Sequence, residues 1–165
     1  MSLARAAGYA VLCCFLLHAG EKRTAHRKPR SSIVRISFVK SGGFAGPMTR
    51  VEGRIDLSGE HGTISGDGSY HRDLTTTEVQ QLRSGAQPES LAKAASALAA
   101  ATSGMADVEQ YNVRVRTDDG KDHDAVLPAP ADSEELQVVP PATIKFLMWL
   151  QQQAQQILTE KFKSR

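Results

Sequence analysis

The sequence has only two cysteines, and both lie among its first fourteen residues. Cys13 and Cys14 are adjacent and lie inside an apolar run, so they cannot easily bridge each other. Aromatic residues are also scarce, at 5% of 165 residues, and the hydrophobic share of 41% is ordinary for a globular protein. A chain of this length can form one core without disulfide or metal staples. The cysteine pattern therefore excludes a disulfide scaffold and a thiol nucleophile in residues 31–165.

Charge is unevenly distributed along the chain. The formal net charge is +2, but six of the twenty basic residues and one of the eighteen acidic residues precede Ser31. Residues 31–165 therefore carry 14 basic and 17 acidic side chains, a net charge of −3. A mildly acidic body with interspersed signs argues against a nucleic-acid partner. The basic cluster from Lys22 to Arg30 contains Pro29 and no apolar periodicity, which is typical of a solvated linker.

Residues 1–32 are predicted to be separate from the folded domain. Residues 6–19 form an apolar stretch with the length of a signal-peptide core, too short to span a bilayer comfortably. Residues 17–19 offer a cleavage site of the small-residue kind, so we expect an exported or cell-envelope protein. Membrane contact is expected only through residues 1–20, if they stay uncleaved. The basic residues that follow disfavour export, and the alternative is a true start near Ser31 and a cytoplasmic protein.

The first strands are predicted on either side of a glycine-rich corner. Residues 33–39 and residues 51–57 both alternate apolar and polar side chains, the period of a half-buried strand. This pair predicts a hairpin with an open connection. Residues 59–68 contain four glycines and predict a loop or a second turn. Residues 69–74 are a candidate for a third short strand.

A second hairpin is predicted further along the chain. Residues 111–117 alternate cleanly, and the Asp-Asp-Gly sequence at 118–120 is a strong turn signal. Residues 121–127 are expected to return as the partner strand. Strands alternating with segregated helices predict an α+β fold, with a small antiparallel sheet of about four or five strands covered on one face by helices. Residues 33–165 are expected to form this single domain, which ends in a long C-terminal helix.

Three helices are predicted from caps and apolar spacing. Thr75 and Glu78 have the spacing of a capping box, and Pro88 suits the first turn of a second helix. Pro141 lies at the entry to the last helix, where an apolar stripe should face the core. That stripe is predicted to contain Ile144, Leu147, Met148, Ala154, Ile157 and Leu158. The polar outer face is predicted to contain Gln151, Gln152, Gln153, Gln155 and Gln156, and the alternative is that this face binds a partner.

The sequence contains no recognisable catalytic or metal-binding motif. His61, His71 and His123 are scattered among loops and strands, and none has the i, i+4 helical spacing of zincins. The Gly-Asp-Gly-Ser sequence at residues 66–69 lacks the lysine and the strand–helix context of a phosphate-binding loop. No Gly-x-Ser-x-Gly elbow is present. The sequence therefore predicts a protein that is not an enzyme and needs neither a metal nor a cofactor.

The glycine-rich corner is the most informative stretch of the chain. It reads Ser41, Gly42, Gly43, Phe44, Ala45, Gly46 and Pro47, followed by Met48. Three glycines in five positions cost backbone entropy on folding, so the local shape needs a positive φ or a close backbone approach. Phe44 is a large apolar side chain that a plain turn does not require. Either Phe44 packs into the core below a wide turn, or the loop presents Phe44 or Met48 to a partner.

The stretch from Arg35 to Gly46 resembles the opening of emfourin, a small bacterial inhibitor of protealysin-like zinc metallopeptidases related to thermolysin. The residues that carry the resemblance are Arg-Ile-Ser-Phe-Val-Lys-Ser-Gly-Gly-Phe-Ala-Gly. Looser similarities are the strand that begins at Tyr111 with its acidic-Gly turn, the return strand at residues 124–127 and the leucine-rich closing helix. The N-terminal extension, the glycine-rich 59–68 segment and the tail after Leu158 depart from the family pattern.

The resemblance implies that the chain inhibits a thermolysin- or protealysin-like metallopeptidase by blocking the active-site cleft with a loop. Thermolysin relatives, as a family, favour a bulky hydrophobic residue just after the scissile bond, which Phe44 or Met48 would supply. The partner-binding residues implied are those from Ser41 to Met48, and no cofactor is implied. The alternative is a non-catalytic cell-envelope interaction module that uses the same surface for another partner.

Overall fold

The computed structural model describes residues 31–43, 49–105, 107–129 and 139–163. Within these ranges the chain forms six strands and three helices. The strands are β1 Ile33–Ser41, β2 Val51–Ser58, β3 His61–Gly66, β4 His71–Leu74, β5 Gln110–Thr117 and β6 Asp122–Pro128. The helices are α1 Thr76–Gly85, α2 Pro88–Ala101 and α3 Pro141–Lys163. The predicted α+β class and the long C-terminal helix are confirmed, with six strands where four or five were expected.

The six strands form one antiparallel sheet in the order β4-β3-β2-β1-β5-β6. The first strand lies in the middle, where Phe38 pairs with Gly53 of β2 on one side and with Val113 of β5 on the other. The predicted hairpins β1–β2 and β5–β6 are both present. The inward side chains of the strands and the buried faces of the three helices form one apolar cluster. The sheet therefore has a helix-covered face and an open face.

The helices begin where the sequence predicts. The Thr75 side chain accepts a hydrogen bond from the Glu78 backbone N–H, and the Glu78 carboxylate accepts one from the Thr75 N–H, which completes the capping box. Pro88 occupies the first turn of α2. The end of α1 packs closely on the start of α3, where the Thr143 hydroxyl donates to the Gly85 carbonyl oxygen at 3.1 Å. These contacts tie α1 and α3 into one layer.

The prediction of a loop over residues 59–68 is wrong, because β3 lies within it. A tight turn at Gly59, which has a φ of +56°, connects β2 to β3. Two of the other glycines face the helices: a Cβ at Gly62 would come 2.8 Å from a methyl group of Leu57, and one at Gly66 would come 2.6 Å from a methyl group of Ile157. Glycine at position 66 lets α3 approach the sheet, and glycine at position 62 makes room for Leu57 and Leu74 of the neighbouring strands. The two glycines leave β3 with one buried apolar side chain, Ile64, so the alternation that would mark a strand is lost.

Two side chains of α3 were assigned to the wrong face. Met148, predicted on the core-facing stripe, is 64% exposed. Gln153, predicted on the outer face, is 2% exposed, and its side-chain oxygen accepts a hydrogen bond from Arg72 at 3.0 Å. A polar partner on β4 thus permits burial of an amide that would otherwise be costly to bury.

Candidate functional site

The corner predicted to bind a partner leaves the sheet at the end of its central strand. Ser41 is the last residue of β1 and pairs with Gln110, the first residue of β5. Gly42 and Gly43 follow directly and are described by the structure. The five remaining residues of the predicted site lie outside the described residues: Phe44, Ala45, Gly46, Pro47 and Met48. The structure thus describes the root of the loop, which we define as Ser41–Gly43.

The root has a backbone shape and an approach that only glycine accommodates. Gly42 and Gly43 have φ values of +87° and +82°, the left-handed region. A Cβ at Gly42 would come 2.5 Å from the carbonyl oxygen of Val108, and one at Gly43 would come 3.0 Å from Cγ of Glu109. Both conditions expected from the sequence, positive φ and close backbone approach, are present together. The chain entering the loop is therefore held against the segment that leads into β5.

An ion pair lies directly below the root. Lys40, the residue before Ser41, is 7% exposed, and its ammonium lies 2.9 Å from Oε1 of Glu109. The same Glu109 side chain contacts Gly43, and its backbone carbonyl accepts a hydrogen bond from the Ala129 N–H at 2.7 Å. Glu109 thus connects the end of β1, the root and the residue that follows β6.

A buried phenol lies next to this pair. Tyr111 pairs with Lys40 across β1 and β5 and is 3% exposed. Its hydroxyl has no hydrogen-bond partner among the described residues. Burial, followed by the negative charge of Glu109, raises the pKa of Tyr111 to about 12. The phenol is therefore neutral over the physiological range, and its desolvated hydroxyl is a local cost to stability.

Three residues of this region were not predicted from the sequence: Lys40, Glu109 and Tyr111. A signal was present for Lys40, because a lysine at a core-facing position of an alternating strand is rarely buried without a partner. Its partner could not be read from the sequence, since Glu109 is 69 positions further along the chain. The contact depends on the pairing of β1 with β5, which sequence periodicity does not specify.

The open face of the sheet is a second surface, built from paired charges. Arg114 donates to Asp124 at 2.7 Å across β5 and β6, and Arg116 donates to Asp122 at 2.7 Å in the next row. Hydrogen bonds from Arg116 hold the pKa of Asp122 below its usual range. A shallow depression of about 440 Å³ lies between these rows and β1. Its open-face side chains are Ser37, Val39, Asn112, Arg114, Asp124 and Val126.

Because the charges of this face alternate in sign and neutralise each other locally, it resembles an ordinary solvated sheet surface. It offers neither a strongly basic patch nor a large apolar one. The root of the loop is chemically the more distinctive region. Its backbone shape requires two glycines, and a largely buried ion pair, Lys40–Glu109, lies next to it. We therefore treat the root as the candidate functional site.

Neither a metal site nor a membrane-spanning helix is found among the described residues. No three His, Cys, Asp or Glu side chains in those ranges come close enough to hold a metal ion. None of the helices there is both long and apolar enough to cross a membrane. Comparison of the chain with protein-family models, curated proteins and solved structures found no match.

Proposed function

We propose that this chain is a proteinaceous inhibitor of a thermolysin- or protealysin-like zinc metallopeptidase, and that it is not an enzyme. The loop that begins at Ser41–Gly43 enters the active-site cleft and blocks it. The observation that carries the proposal is the root, where Gly42 and Gly43 take left-handed conformations directly against Val108 and Glu109. It supports the proposal because Gly42 and Gly43 belong to the stretch that resembles emfourin, and their conformation is fixed by contacts with the rest of the domain.

A fixed root favours tight binding by a loop. A protease cleft accepts an extended backbone and one apolar side chain next to the metal, so a loop inhibitor needs no reactive group. Ordering a free loop on binding costs conformational entropy, and preorganisation reduces that cost. Steric contact at both glycines and the Lys40–Glu109 pair below them restrict the directions that the loop can take.

The expected interface is within reach of a domain this small. Protease–inhibitor complexes bury about 1,600 Å² in total, or about 800 Å² on each partner. Most of the binding energy in such interfaces comes from a few central side chains, with aromatic residues enriched among them. Phe44 is the aromatic residue of the corner, and we assign it that central role.

The test is a titration of thermolysin with the full chain, with hydrolysis of a peptide substrate as the readout. We expect loss of activity at near-stoichiometric ratios and relief by excess substrate. Phe44→Ala should weaken inhibition about 30-fold, the equivalent of ~2 kcal/mol, without changing the denaturation midpoint. The matched control is Phe162→Ala, because Phe162 is an exposed phenylalanine on α3, and it should inhibit like the unaltered protein.

Two outcomes contradict the proposal in different ways. The proposed inhibition would be contradicted if micromolar concentrations of the chain inhibited neither thermolysin nor any metallopeptidase encoded beside it. A loss of ~3–5 kcal/mol of stability in Phe44→Ala would show that Phe44 fills the core, since a cavity of that size costs about this much. In that case the loop does not present Phe44 to a protease.

A further inference from the structure

The connection between β1 and β2 is tied to the domain at its far end as well as at its root. The register of the two strands ends at the pair Lys40 and Val51, so the connection comprises residues 41–50. Most hairpin loops contain only about two to five residues, and a longer one can take many directions unless both of its ends are fixed. Its last described residues are Thr49 and Arg50, which we call the exit of the loop.

Lys161, near the end of α3, contacts the exit directly. Its ammonium donates a hydrogen bond to the carbonyl oxygen of Arg50 at 3.0 Å, and it lies 3.0 Å from Oδ2 of Asp67. The guanidinium of Arg50 in turn donates to Oε1 of Glu52 at 2.7 Å. The backbone and the side chain of Arg50 are therefore held by two different elements, α3 and β2.

Asp67 is itself fixed to the sheet at the start of β2. Its backbone N–H donates to the carbonyl oxygen of Glu52 at 3.2 Å, and its Oδ2 accepts a hydrogen bond from the Glu52 N–H at 3.4 Å. These bonds continue the pairing of β2 with β3 beyond Gly53 and Gly66. The carboxylate that faces Lys161 is thus held beside the point where the loop rejoins the sheet.

The packing of α3 on the sheet brings Lys161 to this place. Ile157 is buried and lies against Gly66, where a Cβ would come 2.6 Å from its methyl group. Lys161 follows Ile157 by four residues, so the two side chains lie on the same face of the helix. Because Asp67 directly follows Gly66, the close approach at the glycine brings the ammonium to the carboxylate. The two side chains are only 25% and 28% exposed, so salt screens this pair less than a fully exposed one.

The two ends of the loop are held from opposite sides of the β1–β2 hairpin. At the root, Lys40 pairs with Glu109, the residue before β5. At the exit, Lys161 pairs with Asp67, the residue after β3. In the order of the sheet, β5 and β3 flank the hairpin on its two sides. Contacts from both sides leave the loop fewer directions than contacts at the root alone would allow.

We propose that Lys161 is a positioning residue for the loop, and that it fixes the exit at Arg50 so that the direction of the loop is set from both ends. A loop with both ends fixed loses less conformational entropy when it binds a partner. The consequence for inhibition rests on the proposed function, whereas the effect of Lys161 on the exit does not. A single, partly exposed ion pair contributes little to the global free energy of unfolding. Removal of the ammonium should therefore release the exit without unfolding the domain.

Limited digestion of the full chain with trypsin tests the effect on the exit, because trypsin cleaves after arginine and Arg50 is exposed. We expect Lys161→Met, which keeps an apolar stem, to raise the rate of cleavage after Arg50 about tenfold, since bonds from a charged donor are lost. Lys161→Arg should stay close to the unaltered protein, because a guanidinium can donate to both acceptors. The matched control is Lys163→Met, since Lys163 pairs with Glu160 of its own helix, and it should leave this rate unchanged.

The melting temperature distinguishes release of the exit from loss of the fold. Mass spectrometry of the fragment that ends at Arg50 gives the cleavage rate, and the melting temperature of Lys161→Met should equal that of the unaltered protein. An unchanged cleavage rate in Lys161→Met would overturn the proposal. A faster cleavage that is matched by a fall in the melting temperature would overturn it as well, because Lys161 would then stabilise the whole domain and not the exit.

Titration of thermolysin with the same variants separates this inference from the proposed function. Where the unaltered chain inhibits, Lys161→Met should raise the inhibition constant about tenfold, and Lys163→Met should leave it unchanged. Equal inhibition by Lys161→Met and the unaltered chain would overturn the role of Lys161 in positioning the loop for the protease. Absence of inhibition by the unaltered chain would contradict the proposed function alone, and the tryptic digestion would still decide whether Lys161 fixes the exit.

Discussion

Gly42 lies against the backbone carbonyl of Val108, so close that a Cβ at Gly42 would come 2.5 Å from the carbonyl oxygen. The φ of Gly42 is +87°. Two independent constraints therefore meet at this position, a conformation that side chains disfavour and a backbone atom that cannot move aside easily. Together they explain why glycine follows Ser41 in the corner, independently of what the loop binds.

We expect Gly42→Ala to lower the free energy of unfolding by about 2–4 kcal/mol, the sum of left-handed strain and steric overlap. Gly104→Ala is the matched control, because Gly104 has a φ of +88° and nothing within 4 Å of its would-be Cβ. It should cost only about 1–2 kcal/mol, the strain alone. Urea denaturation of both variants checks the difference, and equal costs would show that the Val108 contact does not constrain the root.

The Lys40–Glu109 pair should respond differently to the removal of each partner. Glu109→Ala leaves the buried ammonium of Lys40 without its carboxylate, and we expect a loss of about 2 kcal/mol or more. Lys40→Met removes the buried charge and keeps the apolar stem, so we expect a change below about 1 kcal/mol. Chemical denaturation measures both. A larger loss for Lys40→Met than for Glu109→Ala would contradict the argument that desolvation of Lys40 dominates.

Tyr111→Phe should leave stability unchanged or raise it by up to about 1 kcal/mol, because it removes a buried hydroxyl that has no hydrogen-bond partner among the described residues. The pKa of Tyr111 is about 12, above its ordinary value of 10.0. Because the folded pKa lies above the unfolded value, the folded state favours the neutral phenol over the ionised one, so the free energy of unfolding is unaffected by this group below pH 10 and falls as the pH rises from 10 through 12. Alkaline denaturation and ultraviolet titration of the phenols check this. A fall of several kcal/mol in Tyr111→Phe would show that the hydroxyl has a partner.

Local patterns predicted those parts of the fold that depend on near neighbours. The alternation at residues 33–39 and 111–117 and the Thr75–Glu78 capping box each depend on spacing within one element, and the corresponding strands and helix are present. The third short strand expected at residues 69–74 is present as β4, whereas β3 was missed for the opposite reason. Glycine at positions 62 and 66 is a response to Leu57 and Ile157, which approach from elsewhere in the chain. With glycine on either side of Ile64, the core-facing positions of β3 contain a single apolar side chain, which is too little for a periodic signal.

The candidate site was predictable only in part for the same reason. The requirement for positive φ could be inferred from the glycines at positions 42 and 43 alone. The contacts that fix them come from Val108 and Glu109, which become neighbours only when β5 pairs with β1. Likewise, helical spacing is compatible with Gln153 on the buried face, but its polar side chain was assigned to the outer face because the sequence does not show that Arg72 of β4 supplies a partner.

Glu78 links three elements through one carboxylate. Its Oε1 accepts hydrogen bonds from Arg72 at 2.6 Å and from the Trp149 indole at 3.1 Å, and its Oε2 accepts one from the Thr75 N–H at 2.9 Å. The guanidinium of Arg72, ahead of these other donors, lowers the pKa of Glu78 to about 2 from its ordinary 4.5. The folded state therefore favours the ionised carboxylate.

Because the folded pKa of Glu78 lies below the unfolded value, its ionised form contributes stability above about pH 4.5, and that contribution is lost as the pH falls toward 2. We expect Glu78→Gln to cost about 2 kcal/mol at pH 7, since glutamine keeps the capping box but loses the charge paired with Arg72. The difference from the unaltered protein should shrink steadily between pH 4.5 and pH 2. Thr75→Ala is the control, because it removes a capping hydroxyl at a cost of about 1 kcal/mol and leaves the Arg72–Glu78 pair in place. Denaturant unfolding over this pH range checks both variants, and a Glu78→Gln difference that stays constant with pH would contradict the role of the ionised carboxylate.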